Sequence, residues 1–172
     1  MPLNDVELRT LHNTLLNPTI SEHVNPASID ICIGNKLLID DCLSSATGHF
    51  REVDLSKHSH SNPYLFPPKT FALVDTWEWI TVPNNCCVEL KLKSSRAREG
   101  WNHAIAGWFD PGWSGRGTME IYNLRSIPIP VYPRLRFAQL VVYRMTSEPS
   151  KLYNGCYQNA ITVEAAKHSP NR

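Results

Sequence analysis

Near the start of the chain, apolar residues recur at every third or fourth position, as they do along one face of a helix. The residues of this stripe are Val6, Leu8, Leu11, Leu15 and Leu16. Asn4 precedes the stripe and has a side chain suited to capping a helix N-terminus. Pro18 lacks the N–H group that a continuing helix needs. The pattern therefore predicts a helix over residues 4–16, ended by Pro18, within an N-terminal segment of residues 1–20.

Beyond this segment, polar and apolar positions alternate over short stretches, which indicates β-strands. Three isoleucines between residues 29 and 33 alternate with polar residues, as in a half-buried strand, and Gly34 and Asn35 are a turn signal. Further strands are predicted over residues 36–39, 70–74, 79–82, 87–92, 129–132 and 137–143. Short strands separated by turns predict a mainly β domain, built as a sandwich or a barrel.

Two polar stretches interrupt the strand pattern. Residues 41–64 are polar and are predicted to form a loop. A metal site at His58 and His60 is the alternative, and it is not favoured because no third ligand lies nearby. Residues 147–172 are predicted to form a polar C-terminal tail. Neither a repeat nor a change of composition divides the chain, so all 172 residues are predicted to form one domain.

Charge and cysteine content exclude several classes of protein. The net charge of +1 predicts no general attraction to nucleic acid or to a membrane surface. No apolar run has the length of a membrane span, and the N-terminus lacks a signal-peptide pattern. Five cysteines without framework spacing indicate reduced thiols in a cytoplasmic protein. Cys86 and Cys87 are adjacent and do not fit a zinc motif, so no protein-held metal is predicted.

Candidate chemistry is concentrated between Leu92 and Asn123. Ser94 and Ser95 offer hydroxyl and backbone N–H donors, and basic residues flank them on both sides. Phosphate oxygens accept hydrogen bonds from such donors, and an arginine can bind them through two parallel bonds. The alternative is a solvated basic turn.

A Gly-rich turn and a strand follow these serines. Asp110 precedes a Pro-Gly pair in a tight turn, where it could take a proton from water or could only shape the loop. Gly107 would let the backbone approach a ligand, and Trp108 could stack on a base or fill the core. Alternation places Thr118 and Glu120 on one face of a stiff strand. This strand is a suitable mount for a catalytic base, although an exposed strand glutamate is the simpler alternative.

Two further polar residues are weaker candidates. Gln139 lies in an apolar strand, so its amide needs a partner, which could be a ligand or a backbone carbonyl. His103 is a possible acid or base, but no residue that would orient it is evident from the sequence.

Several of these segments together resemble one known family. They are NPASIDICIGN (25–35), SSRAREG (94–100), AGWFDPGWSG (106–115), TMEIYN (118–123), FAQL (137–140) and YNGCYQN (153–159). In this order they resemble the dCTP deaminase and dUTPase superfamily, and most of all its dCTP deaminases, including bifunctional ones. The resemblance implies a distorted, jelly-roll-like β-barrel that assembles as a homotrimer with active sites between subunits. It also implies Mg²⁺ bound through the nucleotide triphosphate and deamination without zinc, in line with the missing HxE…PCxxC signature.

The resemblance implies roles for individual residues. Glu120 would take a proton from the water that attacks cytosine C4, and Ser94 would position this water. Arg98 would lie near the phosphates and the catalytic pocket. Asp110 would align or deprotonate the water that attacks the α-phosphorus in a dUTPase step. The implied substrate contacts are Lys93, Ser95, Ala106, Gly107, Trp108, Gln139 and Tyr157.

A few positions depart from the family pattern. Lys93 stands where an arginine is usual, so the charge is kept but the bidentate fork is lost. Cys156 and Ala160 stand where the family often has a lysine and a glutamine, so two phosphate contacts would be missing. Gly107 and Trp108 match bifunctional and dUTPase-like members, whereas the Gly-rich C-terminal lid of dUTPases is absent from the sequence.

These observations predict a cytoplasmic, metal-independent dCTP deaminase that forms dUTP and ammonia, with cleavage of dUTP to dUMP as a second activity. A diverged enzyme that acts on another deoxynucleotide, such as a monophosphate, is the first alternative. A trimer that binds nucleotides without turnover is the second.

Overall fold

The computed structural model describes residues 1–40, 50–104 and 106–167, and these form a mainly β domain. Its helices are α1 (Asp5–Leu15) and α2 (Ser94–Arg98). Its strands are β1 (Leu16–Asn17), β2 (Val24–Asn25), β3 (Ser28–Asp40), β4 (Phe50–Asp54), β5 (Tyr64–Phe66), β6 (Phe71–Thr81), β7 (Cys86–Leu92), β8 (Trp101–His103), β9 (Trp108–Phe109), β10 (Ser114–Asn123), β11 (Ile129–Val131) and β12 (Arg136–Arg144). Neither helix has the length and apolar character needed to cross a membrane.

Ten strands form one curled antiparallel sheet. Its main path runs β8-β10-β6-β3-β12-β7-β9, while β1 pairs with β6, and β2 and β4 pair with β3. Strands β5 and β11 pair separately. The aliphatic residues of the inner face form the core, where the ring of Trp101 packs edge-on against Phe137 and at a tilt against Phe66. The mainly β class predicted from the alternation is confirmed.

Helix α1 begins as predicted. The side chain of Asn4 accepts the backbone N–H of Glu7, and the Glu7 carboxylate accepts the backbone N–H of Asn4, which together form a capping box. Leu8 and Leu15 are fully buried, but Val6 is 69% exposed, so its assignment to the apolar stripe is wrong. The buried face is therefore narrower than the sequence pattern indicates.

The predicted end of this helix is wrong as well. The helix ends at Leu15, because Leu16 and Asn17 extend into β1 and pair with β6 opposite Ile80 and Trp79. Strand pairing therefore ends the helix before Pro18 is reached.

Strand β3 runs straight through the turn predicted at Gly34 and Asn35. Its first half is fully buried rather than half-buried, because it lies in the middle of the sheet. An ideal Cβ atom on Gly34 would lie 2.3 Å from Asp75 Oδ1, and that carboxylate accepts the backbone N–H of Lys36 at 3.0 Å. Glycine is therefore needed for the close approach of a carboxylate, where the pairing register with β6 shifts.

Two other strand predictions need correction. Residues 70–74 and 79–82 belong to one continuous strand, β6. Part of the loop predicted over 41–64 is ordered: Phe50–Asp54 pairs with β3, and Leu55–Lys57 forms a 3₁₀ turn. His58 and His60 pack edge-on against the rings of Tyr64 and Tyr132. Residues 41–49 of the predicted loop lie outside the described residues.

The C-terminal tail returns to the sheet beside β10. The carbonyl of Ser114 accepts the backbone N–H of Asn159 at 2.8 Å, and the carbonyl of Ala160 accepts the backbone N–H of Arg116 at 2.7 Å. Gly115 and Ala160 form a parallel bridge between these bonds. The tail therefore lies along the strand that carries the predicted catalytic glutamate.

Candidate active site

A cavity of about 710 Å³ opens between the sheet and the returning tail, a volume within the usual range for small-molecule sites. Much of its wall is aromatic, with rings from β4, β6, β9 and the tail. Its polar lining residues include Asp110, Arg116, Thr118, Glu120, Tyr157 and Glu164.

Glu120 faces this cavity from the middle of β10. Burial alternates strictly along the strand, so Thr118 and Glu120 point to the cavity while Met119 and Ile121 are buried in the core, as predicted. Burial raises the pKa of the Glu120 carboxyl above its ordinary value. A carboxyl with a raised pKa on a rigid strand exchanges protons more readily near neutral pH, as a general base must.

Asp110 lies at the rim of the same cavity, in the predicted tight turn. Its carbonyl accepts the backbone N–H of Trp113 at 3.1 Å, and Gly112 adopts a φ of 80°, a conformation that favours glycine. One carboxylate oxygen, Oδ1, accepts the indole N–H of Trp108 at 3.1 Å. The second oxygen has no hydrogen bond to the described residues, so Asp110 keeps an acceptor for water or substrate.

The ring of Trp108 is not a core residue. It is 57% exposed, lines the cavity and stacks on Tyr143 with ring centroids 6.4 Å apart. Gly107 beside it approaches the backbone of β7, since an ideal Cβ atom would lie 2.6 Å from the Leu90 carbonyl oxygen. Glycine is therefore needed here for the close approach of a neighbouring strand, and Ala106 is exposed next to it.

The residues around α2 do not line the cavity. Ser94, Ser95 and Arg98 are exposed on this short helix. The ammonium group of Lys93, just before the helix, forms an ion pair with the buried carboxylate of Asp30. The predicted catalytic residues thus form two groups on one subunit: a cavity group (Asp110 and Glu120) and a helix group (Ser94 and Arg98).

Gln139 and His103 have partners that could not be read from the sequence. The amide oxygen of Gln139 accepts the hydroxyl of Ser28 at 3.1 Å. His103 Nε2 lies 3.3 Å from the carbonyl oxygen of Leu90, which fixes the ring against β7. Neither residue lines the cavity.

The tail places Tyr157 in the cavity wall. Its carbonyl accepts the indole N–H of Trp113 at 3.1 Å, and its hydroxyl accepts the backbone N–H of Lys167 at 3.0 Å. Cys156 is exposed, whereas the side chain of Ala160 is buried and its backbone pairs with β10. Position 160 therefore serves the docking of the tail.

Sequence reasoning missed two charged residues of the cavity. Arg116 lies on the Glu120 face of β10 and donates to the backbone carbonyls of Thr76 and Trp77. The same alternation that located Glu120 would have located it. Glu164 reaches the cavity from the tail, where its backbone N–H donates to the Thr118 hydroxyl at 3.1 Å. No local pattern marks this residue, because its position depends on where the tail returns.

The curled sheet has the fold of a dCTP deaminase. The crystal structure of 2'-deoxycytidine 5'-triphosphate deaminase from Agrobacterium tumefaciens superposes with a TM-score of 0.66 at 22% identity. The match covers 82% of this chain and 47% of that one, so this chain spans about half the length of that protein. The predicted barrel-like fold is confirmed.

Sequence comparison identifies the family more closely. A family model for dCTP deaminase-like proteins matches residues 3–145, so the chain belongs to this family. The "dCTP deaminase, dUMP-forming" of Sulfurihydrogenibium sp. is 33% identical over 174 residues, covering 97% of each chain. The protein of the same name from Nanoarchaeum equitans is 32% identical over 168 residues, covering 84% of this chain and 85% of the relative. The resemblance found in the sequence is confirmed.

Proposed function

We propose that this protein deaminates dCTP to dUTP and ammonia, and that it then hydrolyses dUTP to dUMP and diphosphate. The relatives named "dCTP deaminase, dUMP-forming" support both steps. The observation that carries the proposal is Glu120, a half-buried carboxylate with a raised pKa that faces a nucleotide-sized cavity from a rigid strand.

In the deamination step, Glu120 takes a proton from a water molecule while the water oxygen bonds to cytosine C4. The electron pair of the C4–N3 double bond moves to N3, which takes the proton from Glu120. Glu120 then takes the remaining hydroxyl proton and passes it to the amino group, the C4–N4 bond breaks, and ammonia leaves. The product keeps a C4 carbonyl and a protonated N3, which is uracil.

In the second step, a water molecule attacks the α-phosphorus and diphosphate leaves. Asp110 is proposed to orient or deprotonate this water through the carboxylate oxygen that Trp108 does not occupy. Mg²⁺ is proposed to enter with the triphosphate as part of the substrate, because phosphate oxygens and water satisfy this ion better than a few scattered carboxylates do.

The charges of the cavity suggest that one subunit does not complete the site. Asp110, Glu120 and Glu164 contribute acidic groups, whereas the guanidinium of Arg116 already donates to two backbone carbonyls. A triphosphate needs cationic donors, and the exposed helix group supplies them. We therefore propose a homotrimer in which α2 of one subunit brings Ser94 and Arg98 to the Glu120 cavity of the next.

Product analysis tests the proposed activity. Wild-type protein, dCTP and Mg²⁺ should yield ammonia and dUMP, with dUTP as the intermediate, measured by chromatography and an ammonia assay. Glu120→Gln should lower the deamination rate by at least about 100-fold, whereas Glu148→Gln, at an exposed glutamate outside the cavity, should not change it. A folded wild-type protein without product, or a Glu120→Gln variant with normal turnover, would refute the proposal.

Mixing two inactive variants tests the shared site. If Glu120→Gln and Arg98→Ala subunits are unfolded and reassembled together at equal amounts, about a quarter of the sites of a cyclic trimer should carry both native residues. Activity should then return to roughly that fraction. Sites contained within one subunit would predict no recovery, because every subunit lacks one of the two residues.

One observation favours a second substrate class, the deoxynucleoside monophosphates. Ala160 is buried against β10, Cys156 lacks the ammonium group of a lysine, and Lys93 is paired with Asp30, so three positions that would contact a triphosphate offer little to it. Assays with cytidine and uridine deoxynucleoside mono-, di- and triphosphates will separate the classes. A higher kcat/KM for the monophosphate would favour this alternative, and thermal stabilisation by nucleotide without product would favour a non-catalytic binder.

A further inference from the structure

Three metal-ligating side chains meet in the interior, away from the Glu120 cavity. His23 is in the 3₁₀ turn after β1, Cys32 is in β3, and Glu78 is in β6. One potential ligand atom of each lies within 4.8 Å of the other two. None of them lines the catalytic cavity. We refer to these three residues as the His-Cys-Glu cluster.

The cluster is held in place by the backbone around it. Cys32 lies opposite Arg136 of β12, where the pairing register shifts, and its backbone N–H donates to the two carboxylate oxygens of Glu78 at 2.9 and 3.2 Å. The turn that carries His23 is closed by its N–H bond to the carbonyl of Ile20. The three side chains therefore meet from separate parts of the chain, and their exposures are only 9%, 1% and 2%.

Glu78 is a buried carboxyl group that has no ion-pair partner in the part of the chain that the structure describes. The neighbouring buried carboxylate, Asp30, has Lys93 and Arg136 as partners. By contrast, no ion pair within residues 1–40, 50–104 and 106–167 includes Glu78. A buried carboxylate without a cation is costly, and bound cations are one of the usual remedies.

We propose that His23, Cys32 and Glu78 bind one divalent transition-metal ion, with Zn²⁺ as the best match. An imidazole, a thiolate and a carboxylate are the three ligand types that zinc accepts. Ligand atoms around a tetrahedral zinc ion lie about 3.5 Å apart, so small side-chain rotations would close the observed spread. The thiolate and the carboxylate together balance the charge of the ion, and the fourth position is left for a small ligand such as water.

Such an ion would have a structural role. It would tie the 3₁₀ turn after β1 to two central strands of the sheet, and β6 in turn pairs with the strand that carries Glu120. Binding would release the Cys32 proton, because the thiolate is the ligand. Deamination would not involve the ion, since the cluster lies outside the catalytic cavity.

Titration with Co²⁺ as a zinc substitute tests the proposal on the purified full chain. After treatment with a chelator, the protein should bind one Co²⁺ ion per subunit and develop the absorption of a thiolate–cobalt bond. Zn²⁺ should displace the ion, and Tm should rise with the metal concentration. Excess Mg²⁺ should neither displace Co²⁺ nor raise Tm, because Mg²⁺ prefers oxygen ligands.

Matched variants locate the ion. Cys32→Ser should abolish the thiolate–cobalt absorption and weaken binding at least about 10-fold, whereas Cys86→Ser, at a buried cysteine outside the cluster, should keep both. If Cys32→Ser does not fold, His23→Gln keeps the thiol and should still lose stoichiometric binding. The proposal would be overturned if folded wild-type protein showed neither thiolate–cobalt absorption with Co²⁺ nor a rise in Tm with metal. An unchanged thiolate–cobalt absorption in Cys32→Ser would overturn it as well.

Discussion

The side chain of Asn123 gives a stability prediction that can be worked from its contacts. This residue ends β10 and is fully buried. Its amide nitrogen lies 3.3, 3.0 and 3.0 Å from the backbone carbonyl oxygens of Phe66, Pro67 and Ile127. Its amide oxygen accepts the backbone N–H of Arg125 at 2.9 Å. One amide therefore ties two loops to the end of the strand that carries the predicted base.

The magnitude follows from the donor count. An amide group has two N–H donors, so at most two of the three carbonyls are satisfied at once, and the Arg125 N–H adds a third hydrogen bond. At about 1 kcal/mol per hydrogen bond, Asn123→Ala should lower the free energy of unfolding by about 3 kcal/mol. For a chain of this length, this loss corresponds to a fall in Tm of roughly 6–12 °C.

Urea unfolding followed by tryptophan fluorescence measures this loss, with all variants at one protein concentration because subunit association adds to stability. Asn102→Ala is the control, since Asn102 is exposed in the adjacent strand β8, and it should change stability by less than about 0.5 kcal/mol. A loss below about 1 kcal/mol in Asn123→Ala would contradict the hydrogen-bond reasoning.

Four further predictions concern the site and the sheet. Burial raises the pKa of Glu120, and the base acts when it is ionised, so kcat/KM should increase with pH through a midpoint above 4.5, the usual pKa of a glutamate. A midpoint at or below 4.5 would exclude Glu120 as the base. Because its pKa is raised in the folded state, Glu120 binds a proton more tightly when the protein is folded, and its contribution to stability falls as the pH rises. Glu120→Gln should therefore not lower the free energy of unfolding at pH 7. Asp110→Asn should slow dUMP formation while dUTP accumulates, and an equal loss of both steps would instead indicate a structural role for the turn. Gly34→Ala should lower the free energy of unfolding by about 1–3 kcal/mol, because the added Cβ atom displaces the carboxylate of Asp75. The loss should be smaller in an Asp75→Ala background, and equilibrium unfolding measures both.

The parts of the fold that could be predicted are those with a local cause. The N-cap of α1 depends on Asn4 and Glu7, three residues apart, and the two faces of β10 follow from a period of two. The path of β3 through Gly34 could not be predicted, because the reason lies in a carboxylate 41 positions further along the chain, at Asp75 (75 − 34 = 41). The helical pattern likewise includes Leu16, because the pairing of this residue with β6 is not a local signal.

The candidate site also has a part that the sequence predicts and a part that it does not. The motifs identified Glu120 and Asp110, and these residues do face one cavity. The motifs did not reveal that Ser94 and Arg98, less than thirty residues away, lie outside it. Proximity along the chain says little about proximity of side chains once the chain turns through α2 and three strands.

The stretch from Leu92 to Asn123 nevertheless contains the reason for this division. It forms α2, β8, β9 and β10, and β8 and β9 are the two ends of the main path of the sheet. Because the sheet curls, Trp108 and Phe109 of β9 share a cavity with Glu120 of β10, next to the opposite end. The short helix α2 connects β7 to β8, and its serines and Arg98 are exposed. Edge strands and exposed connections are where a second subunit can pack without breaking the sheet. An enzyme built in this way can keep its base and its aromatic wall on one subunit while a neighbour supplies the cationic donors for the phosphates.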